Sequence, residues 1–124
     1  MQKVMIVFIG GGVGSSVRYF TTLAAGKAFG ADFPWGTLIV NLAGCFLIGI
    51  ALALAERTEL MRPELRLFFV TGFLGGLTTF SSYAMETVTA ARGGLAAPLA
   101  NMALNNLAGI ALVLAGLKLA SLLV

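Results

Sequence analysis

Three stretches of this chain run for about twenty residues or more with no charged side chain. They are Phe33 to Ala55, Leu67 to Met85 and Gly93 to Leu117. That is the length an α-helix needs to cross the hydrocarbon core of a bilayer. A fourth stretch begins at Val4 and is interrupted by Arg18. A long cationic side chain near a helix end reaches back to the headgroups, so a helix over 4–25 is also expected. The predicted spans are 4–25, 34–55, 66–90 and 95–122. They form one transmembrane domain over residues 1–124, an all-α membrane protein with four transmembrane helices.

Composition closes the other classes. Charged residues are 10% of the chain and hydrophobic residues 59%. A soluble domain carries about 25% charge because its surface faces water. A soluble enzyme is therefore excluded, and so is disorder. The net charge is +3, but eight Lys and Arg scattered over 124 residues make no basic patch, so no nucleic-acid partner is expected. The single cysteine, Cys45, permits no intrachain disulfide and reads as a small hydrophobe. With no histidine, His metal sites, Ser-His-Asp catalysis and His proton relays are ruled out.

Lys3 ahead of an apolar stretch resembles the start of a signal peptide. Gly10, Gly11, Gly12 and Gly14 break that stretch, and Arg18-Tyr19 is not a small-residue cleavage site, so a retained helix is expected. The loops are short. Six of the thirteen charged residues sit between Glu56 and Arg66. Any function must then lie within the bilayer or at its faces. Four spans put both termini on one side, with Lys3, Arg57, Arg62, Arg66 and Lys118; Lys27 and Arg92 lie opposite, joined by Arg18 if it reaches outward. The positive-inside rule puts the termini in the cytoplasm, but the bias is modest and permits insertion both ways.

Small residues recur four apart at Gly10/Gly14, Gly12/Ser16 and Gly72/Gly76. That spacing lets helix backbones approach closely, within one chain or across a dimer. The third span reads Thr71-Gly-Phe-Leu-Gly-Gly-Leu-Thr-Thr-Phe-Ser-Ser-Tyr83. Adjacent glycines weaken a helix, and irregular backbone at membrane depth survives only inside protein or along a wet cavity. Its freed carbonyls then suit a cation; the other reading is a kink in close packing. Phe80 and Tyr83 share a helix face and flank Ser81 and Ser82. Ring edges are positive, so such a pair either packs in the core or faces an anion weakly. Thr37 and Asn41 lie one turn apart in the second span; Asn101, Asn105 and Asn106 lie in the fourth. Each amide either bonds a neighbouring helix or offers its N–H to a permeating anion. Asn101 and Asn105 share a face, and Asn106 points elsewhere. Arg18 either draws anions to a vestibule or anchors at headgroups. Glu86 ends the third span. With no carboxylate in the middle of a span, an acidic-ring cation channel and a proton-coupled exporter are disfavoured.

At these residues the chain resembles the Fluc/CrcB family of fluoride channels. Gly72-Phe-Leu-Gly-Gly-Leu-Thr-Thr-Phe-Ser-Ser-Tyr83 is similar to that family's Gly-Phe-x-Gly-Gly-x-Thr-Thr-Phe-Ser-Thr-Phe. Gly11 to Tyr19 and Gly36 to Gly44 supply supporting matches. The resemblance implies an antiparallel dual-topology homodimer, its third helix broken mid-membrane, in the bacterial inner membrane. It implies passive export of cytoplasmic fluoride, fluoride resistance, and a structural Na⁺ at the dimer centre. By position, the carbonyls of Gly75 and Thr78 hold Na⁺. The fluoride pathway takes Asn41, Phe80, Ser81, Tyr83, Asn106, Arg18 and Thr37. Tyr83 stands where the family usually has Phe, Ser82 where it has Thr, and the fourth span lacks a run of Ser and Thr. The main rival is a small dual-topology multidrug or cation exporter; it needs an acid inside the first helix, which has none. A second is a non-transporting subunit of a membrane assembly.

Overall fold

The computed structural model describes residues 1–57 and 61–123, with Arg57 described in its backbone only. Thr58, Glu59 and Leu60 of the charged loop, and Val124, lie outside the described residues. Four helices are long and apolar enough to cross a membrane: Gln2–Phe29, Trp35–Glu56, Pro63–Gly93 and Ala96–Leu123. Helix α1 is Gln2–Phe29 and α2 is Trp35–Arg57. The turn between them starts at Gly30, whose φ of 82° is left-handed and suits glycine. Phe33 packs tilted against Trp35 at 4.8 Å and Phe29 lies at 5.6 Å from the same ring, closing that turn.

The third span is composite. Helix α3 covers 63–77. Pro63 sits at its first turn, where the missing N–H costs nothing. Leu67–Leu74 is wound as a π-helix, and Gly75–Leu77 returns to α. Helix α4, Phe80–Ala90, follows, then a 3₁₀ turn at Ala91–Gly93. Helix α5 is Ala96–Leu123. A π segment, Leu104–Ala108, lies inside it.

Small residues set the packing. A Cβ on Gly14 would strike the carbonyl of Phe73, and one on Gly76 the carbonyl of Gly11. Gly10 and Gly72 meet in the same way. So the Gly10/Gly14 and Gly72/Gly76 pairs serve contact between α1 and α3 within one chain. Gly12 has nothing within 4 Å, and Ser16 bonds only back to the Gly12 carbonyl at 2.8 Å. A second close approach joins α2 to α5 through Gly49, against Val113, and Gly116, against Phe46. Neither glycine stands out in the sequence. Without a hydrophobic force between helices in lipid, such backbone approach is what holds them. The apolar core is small: Val40, Leu74 and Leu77, with Leu47, Phe69 and Phe73 against it. Large apolar side chains such as Phe8, Val88, Leu107 and Ile110 are exposed. A water-soluble surface does not present so many; a lipid-facing one does.

Candidate functional site

Between α3 and α4 the chain leaves the helix for two residues. Thr78 has φ −83°, ψ 157°, and Thr79 φ −153°, ψ 118°, both extended. Thr79 caps α4: its Oγ1 accepts the Ser82 N–H at 3.3 Å. Thr78 stays tied to the preceding turn, its N–H and Oγ1 each donating to the Leu74 carbonyl at 3.0 Å.

Asn41 of α2 repairs the interruption. Its Oδ1 accepts the Thr79 N–H at 2.8 Å. Its Nδ2 donates to the Thr79 carbonyl at 3.2 Å and to Asn105 Oδ1 at 2.9 Å. One side chain thus satisfies both backbone groups of the extended residue. The bonds continue in one direction. Asn105 Nδ2 donates to Asn101 Oδ1 at 2.8 Å and to the Asn101 carbonyl at 3.0 Å. Asn101, fully buried at 0% exposure, donates to Thr87 Oγ1 at 2.8 Å, and Thr87 donates to the Tyr83 carbonyl at 2.7 Å. The relay starts at the break and ends in α4, one turn past it. Every donor in it points the same way, an alignment in which each bond polarises the next.

Beside the relay is a cavity of about 380 Å³ lined by Asn41, Gly75, Thr78, Thr79, Phe80, Tyr83, Asn105 and Asn106 among others. Phe80 is 78% exposed and Tyr83 9%. Their rings lie 5.5 Å apart at 56°. Asn106 Nδ2 donates to the Tyr83 hydroxyl at 3.0 Å and to the Met102 carbonyl at 2.8 Å. Adjacent residues on an α-helix point about 100° apart, which separates Asn105 from Asn106. The π turn over Leu104–Ala108 reduces that angle and brings both amides to one cavity. Asn101 lies on the Asn105 face and away from the cavity, within the relay.

The structure thus gathers Asn41, Gly75, Thr78, Phe80, Tyr83 and Asn106 around one cavity. Ser81 is not among the lining residues; it is exposed, its Oγ 3.4 Å from Thr79 Oγ1. Thr37 belongs to a second cavity of about 420 Å³ near the α1–α2 turn. There it donates from Oγ1 to Glu86 Oε1 at 2.9 Å, while Glu86 Oε2 is buried without a hydrogen-bond partner among the described residues. Arg18 is half-buried on α1 and, among the described residues, makes no polar contact with either cavity. Thr79, Asn105, Asn101 and Thr87 carry the relay and are absent from the sequence-derived pathway. A Thr three residues before Ser82 at a helix start was the available signal for Thr79.

The break also bears on cation binding. In a continuous helix the Thr79 N–H would bond the Gly75 carbonyl, and the Ser82 N–H the Thr78 carbonyl. Here the first goes to Asn41 and the second to the Thr79 side chain. Both carbonyls are released from helical pairing, and Gly75 is exposed with no Cβ to cover its face. That donor chemistry fits Na⁺, which unwound carbonyls replace water around. Two oxygens from one chain do not complete a shell.

Residues 5–117 match the family model described as CrcB-like protein, Camphor Resistance (CrcB). Relatives named fluoride-specific ion channel FluC include one from Clostridium perfringens, 39% identical over 99% of both chains. One from Solibacter usitatus is 46% identical over 82% of this chain and 84% of its own. One from Rhizobium etli is 45% identical over 72% of this chain and 71% of its own. Four apolar helices and kinship along nearly all of its length place this chain, a multi-pass bacterial membrane protein, in the CrcB family.

Proposed function

We propose that this protein is a passive, fluoride-selective channel of the bacterial inner membrane that exports cytoplasmic fluoride and confers fluoride resistance. It is no enzyme. The observation that carries the reading is the cavity beside the break: its polar lining is all neutral, amides and hydroxyls beside two aromatic rings. Fluoride is small and strongly hydrated. A pore must replace that water with donors, yet hold the ion weakly enough to release it. Neutral donors do this; a lysine or arginine in the same place would trap the ion. The names of the relatives support fluoride as the anion.

The cavity opens on the face that carries exposed Gly75 and Phe80. A second copy, antiparallel in the membrane, would cover this face, and the break would lie near mid-membrane. The Gly75 and Thr78 carbonyls of both copies would hold a structural Na⁺ at the centre; bound there, the ion would neutralise the inward-facing carbonyl dipoles and lock the two breaks together. Asn41 positions Thr79, Thr37 and Glu86 lie toward one end of the path, and Arg18 lies outside the two cavities. No nucleic acid is involved; the partners are fluoride, a second copy and lipid. The exporter reading fails on α1, which carries no acid to couple to protons.

The test is release from liposomes. Protein reconstituted with trapped potassium fluoride or potassium chloride and a potassium ionophore is expected to release fluoride and retain chloride. Equal release of both anions, or release that depends on a proton gradient, sinks the reading.

A further inference from the structure

The aromatic pair of this chain has a hydroxyl on one ring, and the structure fixes which way that hydroxyl points its proton. Asn106 Nδ2 is 2.8 Å from the Met102 carbonyl, an atom that only accepts. This sets the amide orientation: the nitrogen, not the oxygen, faces Met102. The same nitrogen is 3.0 Å from the Tyr83 hydroxyl and donates its second proton there. So the phenol oxygen of Tyr83 is an acceptor in this bond. Its own proton finds no acceptor among the described residues, and the side chain lines the cavity at 9% exposure. The other amides at the cavity are engaged. Both Nδ2 protons of Asn41 are committed, to Thr79 and Asn105. Asn105 Nδ2 is committed to Asn101. Asn106 Nδ2 is committed to Met102 and Tyr83. Among the described side chains that line the cavity, the phenol O–H is thus a strong donor left without an acceptor.

We infer that the Tyr83 hydroxyl is an anion-binding donor in this channel, and that Asn106 is a positioning residue that acts through it. The inference rests on the channel reading above. Asn106 holds the phenol in place. By donating into its oxygen, it also makes the outgoing O–H a stronger donor. A hydroxyl donor holds a small, charge-dense anion more strongly than a ring edge does. Fluoride concentrates its charge in the smallest volume and is the best acceptor of a short hydrogen bond. An edge C–H offers a diffuse, weakly positive surface to any anion. In this arrangement Asn106 makes no contact with the ion.

Three measurements test this. First, Tyr83→Phe keeps the ring and removes the hydroxyl. The fluoride concentration for half-maximal liposome flux is expected to rise about tenfold or more, the effect of one hydrogen bond to a charged group. Second, Asn106→Leu should give a smaller rise, and in the Tyr83→Phe background it should give none, because it acts only through the hydroxyl. Third, the chain has two tyrosines, Tyr19 and Tyr83. With Tyr19→Phe, fluoride but not chloride should shift the remaining phenol absorbance to longer wavelength, a signature that packing alone would not produce. Unchanged half-saturation in Tyr83→Phe overturns the inference. Additive losses from the two substitutions overturn the role given to Asn106. If Tyr83→Phe does not assemble, the absence of a fluoride-dependent shift in the Tyr19→Phe protein overturns it instead. Failure of the unsubstituted protein to release fluoride is a different result and refutes the channel reading itself.

Discussion

Asn41 is a donor amide in the right place for an anion, yet its bonds go to protein. Oδ1 takes the Thr79 N–H and Nδ2 takes the Thr79 carbonyl and Asn105. Asn41→Asp therefore does more than put a negative charge beside the path. It leaves an acceptor-only oxygen facing two other acceptors, the Thr79 carbonyl and Asn105 Oδ1. Leaving such groups unmatched costs about 1–3 kcal/mol each when buried. The expected outcome is at least a tenfold loss of fluoride flux together with a lower unfolding midpoint in detergent. A loss of flux with unchanged stability would mean that the charge acts alone. The polar positions of the site were readable in the sequence because an amide in an apolar run is conspicuous. Their partners were not. Asn41 comes from α2, Asn105 from α5 and Thr79 from the break between α3 and α4, and only the packing of those segments decides which atoms meet.

At the scale of elements, the helices follow from uncharged length, and the interruption at Thr78–Thr79 follows from glycines and hydroxyls in a row. The π turns do not. Each inserts a residue without any residue type that demands it, and the winding is set by the neighbour it packs on. Leu67–Leu74 lies where α1 comes close, and Leu104–Ala108 where Asn105 and Asn106 both turn to the cavity. The glycines show the same division. Gly12 and Gly14 stand two apart on α1 and look alike in sequence. In the structure a Cβ at Gly14 meets the Phe73 carbonyl, and a Cβ at Gly12 meets nothing within 4 Å. Gly14→Ala should force α1 away from α3 and destabilise the chain by about 1–3 kcal/mol, as overpacking does. Gly12→Ala should be silent in the isolated chain. Unfolding titrations of the two variants decide the point; equal effects would mean that glycine is needed on α1 for some reason other than contact with α3. A loss of dimer in Gly12→Ala, with the fold intact, would instead place the second copy on the Gly12–Ser16 face.

The whole molecule is short of charge, and that shortage governs how it enters a membrane. Lys3, Arg62, Arg66 and Lys118 lie toward the termini side; Lys27 and Arg92 lie opposite. All six are exposed, so altering them disturbs no packing. With so small a bias, orientation is set by one or two cations. The proposed antiparallel dimer needs both orientations, which gives a two-part prediction. Lys27→Ser with Arg92→Ser should fix the termini in the cytoplasm. Lys3→Ser with Arg62→Ser and Lys118→Ser should favour the reverse. A reporter on the C-terminus reads each orientation directly. The first variant alone should leave cells sensitive to fluoride, because it lacks a partner inserted the other way. Expressed together the two should restore resistance, since the second supplies the orientation the first lacks. Resistance from one fixed orientation alone would overturn the antiparallel arrangement. It would require the Gly75 and Thr78 carbonyls to find their missing oxygens in a parallel partner, which cannot bring the two breaks together by a two-fold axis lying in the membrane plane.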